Sequence, residues 1–173
     1  MKRLWVVALA VLVVTGIGIG SAKADDKDTF TLRATLRGAN EVPPISSEAT
    51  GSFSATIHPD GSINFRLSFN NLAANAAVAH IHFGQKDVAG GVMIFLCGGG
   101  GQPACPAATT GTVEGTITAA NVTGPAAQGI APGELAEALR AIGEGEGYAN
   151  VHNATFPAGE IRGQIRVRER EHD

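Results

Sequence analysis

The chain is poor in aromatic rings, in sulfur and in charge. Of its 173 residues, 5% are aromatic, two are Cys and 17% are charged, with 16 Asp and Glu against 13 Lys and Arg. Few rings and a slight acid excess argue against a nucleic-acid partner, which needs clustered cations and often stacking side chains. No Gly-x-Ser-x-Gly elbow occurs, so a hydrolase of that kind lacks its nucleophile. The Gly98–Gly101 run is followed by neither a Lys-Ser/Thr pair nor a helical pattern, which excludes a phosphate loop. Beyond residue 24 no stretch is apolar enough to span a bilayer.

The apolar run that does exist sits at the start. Lys2 and Arg3 precede residues 4–14, which are strongly apolar, and Ala22-Lys23-Ala24 offers a small-x-small cleavage site. This is the layout of a secretory signal peptide, and the run is short for a membrane anchor. Cleavage after Ala24 removes Lys2, Arg3 and Lys23 but no acid, moving the formal charge from −3 to −6. The expected organisation is a signal peptide over 1–24, a short linker over 25–29, one β domain over 30–168 and a charged tail over 169–173. The expected compartment is the periplasm or the exterior. There, Cys97 and Cys105 flanking a Gly/Pro loop read as a disulfide rather than a redox pair or soft metal ligands. So short a loop stabilises by about 2–3 kcal/mol.

Period-two alternation runs through the rest. Phe30, Leu32, Ala34 and Leu36 share one face of a strand; Thr31, Arg33, Thr35 and Arg37 share the other. Phe53, Ala55 and Ile57 lead into His58-Pro59-Asp60-Gly61, a hairpin turn, and Ile63, Phe65, Leu67 and Phe69 return from it. Residues 92–96 are continuously apolar, as in a strand covered on both faces. Val113, Gly115 and Ile117 alternate again. Leu135, Ala138, Leu139 and Ile142 fall at helical spacing, predicting one short helix over 132–142 between Pro132 and Gly143. Residues 148–152 and 160–168 close the chain as strands, the second with Ile161, Gly163, Ile165 and Val167 inward and Arg162, Gln164, Arg166 and Arg168 outward. About seven or eight short strands with regular turns predict an all-β, antiparallel Greek-key sandwich or barrel.

The stretch that carries chemistry is Ala79-His80-Ile81-His82-Phe83. On a strand, Ala79, Ile81 and Phe83 face the core, while His80 and His82 stand together on the other side, about 6.5–7 Å apart at Cα. His152 lies on the corresponding non-core face of its own strand. If the two strands are neighbours, three neutral imidazoles without a thiolate suit copper(II) or zinc. The competing reading is structural: the imidazoles hydrogen-bond the Asn40-Glu41 loop or Tyr148. Nitrogens within about 4–5 Å of one another would favour the metal, because a metal–nitrogen bond is about 2.0–2.1 Å long. Glu41, Tyr148 and Glu160 are candidates to orient an imidazole from behind, with a salt bridge to Arg162 as the plainer use of either carboxylate. Asn121-Val-Thr123 and Asn153-Ala-Thr155 fit the glycosylation triplet.

Several of these segments also carry a family likeness. Gly38-Ala39-Asn40-Glu41-Val42-Pro43-Pro44, Pro59-Asp60-Gly61, Ala79-His80-Ile81-His82, and Asn150-Val151-His152 with Pro157-Ala158-Gly159-Glu160-Ile161-Arg162-Gly163-Gln164 together resemble the CHRD domain, from about Phe30 to Val167. A common form of the last motif has Thr after the His, where this chain has Asn153. The domain is named after chordin, an extracellular protein that binds bone morphogenetic proteins, and it also occurs as a single exported bacterial domain. The resemblance implies an extracytoplasmic β-domain and lends no support to catalysis. The expected fold is also similar to copper/zinc superoxide dismutase, whose metal site uses a His-x-His strand. Two-metal redox chemistry would need further imidazoles, and His58 lies in a turn and His172 in the tail. The sequence therefore reads as a non-enzymatic binding module for an unidentified protein or other ligand. The alternatives are a copper- or zinc-binding envelope protein using His80, His82 and His152, and a structural surface domain.

Overall fold

The computed structural model describes residues 30–169. The expected signal peptide, the linker and the last four residues of the tail lie outside that range. Nine strands form one antiparallel sheet: β1 (Phe30–Arg37), β2 (Thr50–Ile57), β3 (Ile63–Asn70), β4 (Ala76–Phe83), β5 (Gly91–Cys97), β6 (Gly111–Ile117), β7 (Gly147–Asn153), β8 (Ile161–Gln164) and β9 (Arg166–Glu169). The order is β5-β4-β7-β8-β1-β2-β3-β6, with β9 also paired to β1. The sheet curls into a nearly closed barrel whose end strands β5 and β6 approach one another. Connections from β3 to β4 and from β5 to β6 jump between strands that are not hydrogen-bonded neighbours, a Greek-key trait.

The alternating side chains explain the core. Leu32, Leu36, Phe53, Ile63, Phe65, Leu67 and Phe69 are all buried, with Phe53 and Phe65 stacked at 6.5 Å between centroids. From β4, β5 and β7 come Ala79, Ile81, Met93, Ile94, Leu96, Ala149 and Val151, each fully buried. Cys97 and Cys105 are disulfide-bonded, with Cα atoms 4.9 Å apart. The bond closes the Gly/Pro loop that follows β5.

Four expectations need correction. The helix, α1, spans Leu135–Gly143 and starts later than the prolines and glycines suggest, because Gly133 has φ +89° and ends a turn instead. The Glu134 carboxylate accepts the Ala131 N–H at 2.7 Å and holds that turn. The final strand is two strands: at Ile165 the chain bends, and the Ile165 N–H goes to Gly147 O while β9 moves on to β1. Phe30 and Val167, expected inside, are 42% and 40% exposed: Phe30 is the first residue of β1, and Val167, opposite Leu32, lies on β9, which is paired on one side only, to β1. Arg162, expected outside, is buried, covered by loops over that face.

Candidate metal centre

Strands β4 and β7 are direct neighbours, with Val78 opposite His152, His80 opposite Asn150 and His82 opposite Tyr148. Residues directly opposite in an antiparallel pair point to the same side. The register therefore gathers His80, His82, Tyr148, Asn150 and His152 on the outer face. Alternation assigned these residues to the face away from the core, and they do point that way. The face is nonetheless covered: His80 is 7%, His82 8% and His152 7% exposed. Irregular pairing between β4 and β5 brings Phe95 beside His80, ring centroids 4.4 Å apart and edge to face. The loop before β5 lies over His82, and the turn after β7 lies over His152.

Each imidazole has a readable tautomer. His82 Nδ1 lies 3.0 Å from Gly90 O, and a carbonyl only accepts, so Nδ1 carries the proton. His82 Nε2 is then a bare lone pair, and it is buried without any hydrogen-bond partner. His152 Nδ1 donates likewise to Pro157 O at 3.1 Å, leaving its Nε2 as an acceptor. That lone pair faces His80 Nδ1 at 3.1 Å. One nitrogen from each ring can be chosen so that all three lie within 4.8 Å of one another. Nitrogens at two corners of a tetrahedral zinc site are about 3.3–3.4 Å apart. The 3.1 Å edge between His80 Nδ1 and His152 Nε2 is a hydrogen bond in which His80 Nδ1 donates, so ligation through that nitrogen requires its proton to move to His80 Nε2. The widest separation, up to 4.8 Å, has to shorten by about 1.4 Å to reach the tetrahedral spacing.

The site's charge state favours cation capture. Burial, followed by the neighbouring imidazoles His152 and His82, pushes His80 down to about 3. Burial also brings His82 down to about 4, against the opposing hydrogen bond to Gly90 O. His152 is lowered by burial too, with its bond to Pro157 O acting the other way. All three rings are neutral at pH 7, the form in which imidazole ligates a metal.

The three residues expected to support an imidazole have different roles. Tyr148 stacks flat on His82, centroids 4.8 Å apart, and its hydroxyl accepts the Gly90 N–H at 3.1 Å. Gly90 must be glycine: a Cβ there would stand 1.7 Å from Phe83 O. Glu41 and Glu160 do not reach the rings. Glu41 accepts from Asn150 Nδ2 at 2.6 Å. Glu160, fully buried, accepts from Ser47 Oγ at 2.6 Å, from the Ala73 N–H and from Asn153 Nδ2. Neither carboxylate forms an ion pair with Arg162. That guanidinium instead lies 3.5 Å from the Tyr148 ring centre and donates to Gln85 O. A file of Arg162, Tyr148 and His82 results. Asn153, donating to Glu160, and Asn121, bonded to Thr118 and Gly100, are buried parts of the fold, so neither glycosylation triplet presents its Asn. Phe95, Gly90 O, Pro157 O and the inward turn of Arg162 escaped sequence reasoning; the glycines before β5 and the Pro-Ala-Gly turn after His152 were the available signals.

Burial raises Glu41 from 4.5 to about 7, against the Asn150 hydrogen bond and the Arg162 charge, which lower it. The sign follows from which state holds more protons. For Glu41 the folded state does, so its contribution is present below pH 4.5 and is lost as pH rises through 7. For the three histidines the unfolded state does, so theirs is present above 6.5 and is lost as pH falls. Glu41→Gln isolates the first effect, since the histidine effect is common to both proteins. Relative to the parent, the variant should gain about 2–3 kcal/mol between pH 5 and pH 8, measured by urea unfolding at both.

A family model described as the CHRD domain matches residues 32–165 of the chain. No curated protein and no solved structure gives a significant match.

Proposed function

Because the chain belongs to the CHRD domain family, a family of binding-type rather than catalytic domains, we propose that it is an exported, non-enzymatic module that holds one copper or zinc ion through His80, His82 and His152. The observation that carries this reading is the His82 Nε2 lone pair, buried, unpartnered and part of a three-imidazole cluster. A buried polar atom without a partner costs about 1–3 kcal/mol, and an ion bound there would offset it. The two carbonyls behind His82 and His152 fix the ligating tautomers, as outer partners do in metal sites. Three nitrogens with no thiolate point to zinc or copper(II) over softer or harder ions. Export to the periplasm or beyond rests on the leader-like start of the sequence.

The purely structural reading would gain from a large exposed apolar patch. Among the described residues, the large apolar side chains that are exposed are Phe30, Val42, Val88 and Val167, spread over β1, two loops and β9. Of these, Phe30 and Val167 neighbour one another on the paired strands β1 and β9.

Titration of the metal-stripped protein with zinc or copper(II) tests the proposal. One equivalent should bind, and the His80→Ala/His82→Ala double variant should lose at least about a hundredfold in affinity, with two of three ligands gone. Equal uptake by parent and variant would remove the proposal.

A further inference from the structure

The outer face of the barrel carries a second feature, on strands that contribute nothing to the imidazole cluster. In one row across the sheet, Arg166 on β9 is paired with Arg33 on β1, then Ser54 on β2, Arg66 on β3 and Glu114 on β6. At the far end the row is neutralised in the ordinary way, since Arg66 and Glu114 form an ion pair. At the near end two arginines stand directly opposite one another, an arrangement that opposes folding. Arg168 follows two residues along β9 on the same side. Among the described residues, none of Arg33, Arg166 and Arg168 forms an ion pair, and all three are exposed. Lys86 adds a cation at the rim, next to Asp87 at 3.8 Å.

Shape and chemistry agree with this charge. Two adjoining hollows of about 520 and 570 Å³ share Arg33 and Ser54 and so form one groove across the strands. The positions around the arginines are hydroxyls: Thr31, Thr35, Ser52, Ser54 and Thr56. Arg33 and Arg66 lie two strands apart, roughly 10 Å, the scale of a disaccharide. The outward positions of β1, β2 and β9 carry no aromatic ring on which a base could stack. A protein with net charge −3 has nonetheless gathered arginines here.

We infer that the groove over β9, β1, β2 and β3 binds an acidic polysaccharide, its carboxylate or sulfate groups held by Arg33, Arg166 and Arg168 and its sugar hydroxyls by the flanking Ser and Thr side chains. The arginine fork matches a planar carboxylate or a sulfate edge in bidentate fashion. The repulsion between Arg33 and Arg166 is relieved when the anion lies between them.

The test is affinity electrophoresis or biosensor titration of the full secreted chain against polygalacturonate, dextran sulfate, neutral dextran and single-stranded DNA, at low and high salt. Binding to one or both acidic polysaccharides, weakened by salt and absent with neutral dextran, is the expected result. A preference for polygalacturonate assigns carboxylate as the recognised group, and a preference for dextran sulfate assigns sulfate. Arg33→Gln/Arg166→Gln should weaken binding by about tenfold or more, while Arg140→Gln, an exposed arginine on α1, should leave it unchanged. Arg166→Glu should abolish binding and melt no lower than the parent, because it replaces a like-charge pair by an opposite one. Metal uptake should be unaltered in every variant, which separates this inference from the metal proposal. Absence of binding, equal loss in Arg140→Gln, or tighter binding to DNA than to either polysaccharide would overturn it.

Discussion

Glu160→Ala should lower the free energy of unfolding by about 2–4 kcal/mol. The carboxylate is fully buried and joins three parts of the chain that are distant in sequence: Ser47 before β2, the Ala73 N–H between β3 and β4, and Asn153 at the end of β7. Removing it leaves the buried Asn153 amide without its acceptor, and takes the acceptor from the half-buried Ser47 hydroxyl and from the N–H of Ala73, a residue at the surface, at about 1–3 kcal/mol for each group that finds no water. Glu160→Gln is the informative companion. It keeps the volume and one acceptor oxygen but turns an NH2 toward those same donors, so it should recover only part of the loss. Urea unfolding of the three proteins checks this. A loss below about 1 kcal/mol for Glu160→Ala would mean that water or a shifted side chain replaces the carboxylate. Because Asn153 is next to His152, Glu160 also anchors the end of β7 that presents the third imidazole.

Saturating zinc should raise the melting temperature by roughly 5–10 °C, and His152→Ala should remove most of that rise. Ligand that binds only the folded state stabilises by RT ln(1 + [L]/Kd), which is about 2.7 kcal/mol at a hundredfold excess over Kd. For a domain of this size each kcal/mol is worth roughly 2–4 °C or slightly more. The effect requires His152 as well as the His-x-His pair, since two imidazoles on one strand bind more weakly than three converging from two strands. Without metal, His152→Ala also deprives His80 Nδ1 of its partner at 3.1 Å. The variant should therefore melt somewhat below the parent, and its response to zinc should be nearly flat. Differential scanning calorimetry with zinc and with magnesium separates coordination from general ionic effects; magnesium should do nothing.

How far these features were legible in the sequence depends on what alternation can encode. Period-two patterning names the face on which a residue stands, and it placed Leu32, Phe53, Ile63, Leu67, Ile81 and Val151 in the core. It also put His80, His82 and His152 on one shared face, and the β4–β7 register brings them together. Alternation says nothing about what lies over a face. The outer surface of β4 and β7 is roofed by the loop carrying Gly90, by Phe95 and by the turn carrying Pro157, so residues assigned to the wet side are dry. Arg162 was misplaced for the same reason, its alternation being correct and its cover unseen. Glu41 and Glu160 were noticed as carboxylates, but their partners come from segments 109 and 113 residues away, a distance that local pattern cannot bridge. The late start of α1 and the bend at Ile165 turn on a positive-φ glycine and on one backbone hydrogen bond. Neither leaves a periodic trace.

X-ray absorption at the metal edge of the protein loaded with one equivalent of zinc tests the central claim most directly. The account predicts a first shell dominated by imidazole nitrogen at about 2.0–2.1 Å, with the multiple-scattering pattern of three rings, and loss of that pattern in His80→Ala/His82→Ala. A shell of oxygen alone, or a spectrum that the double variant leaves unchanged, would contradict it.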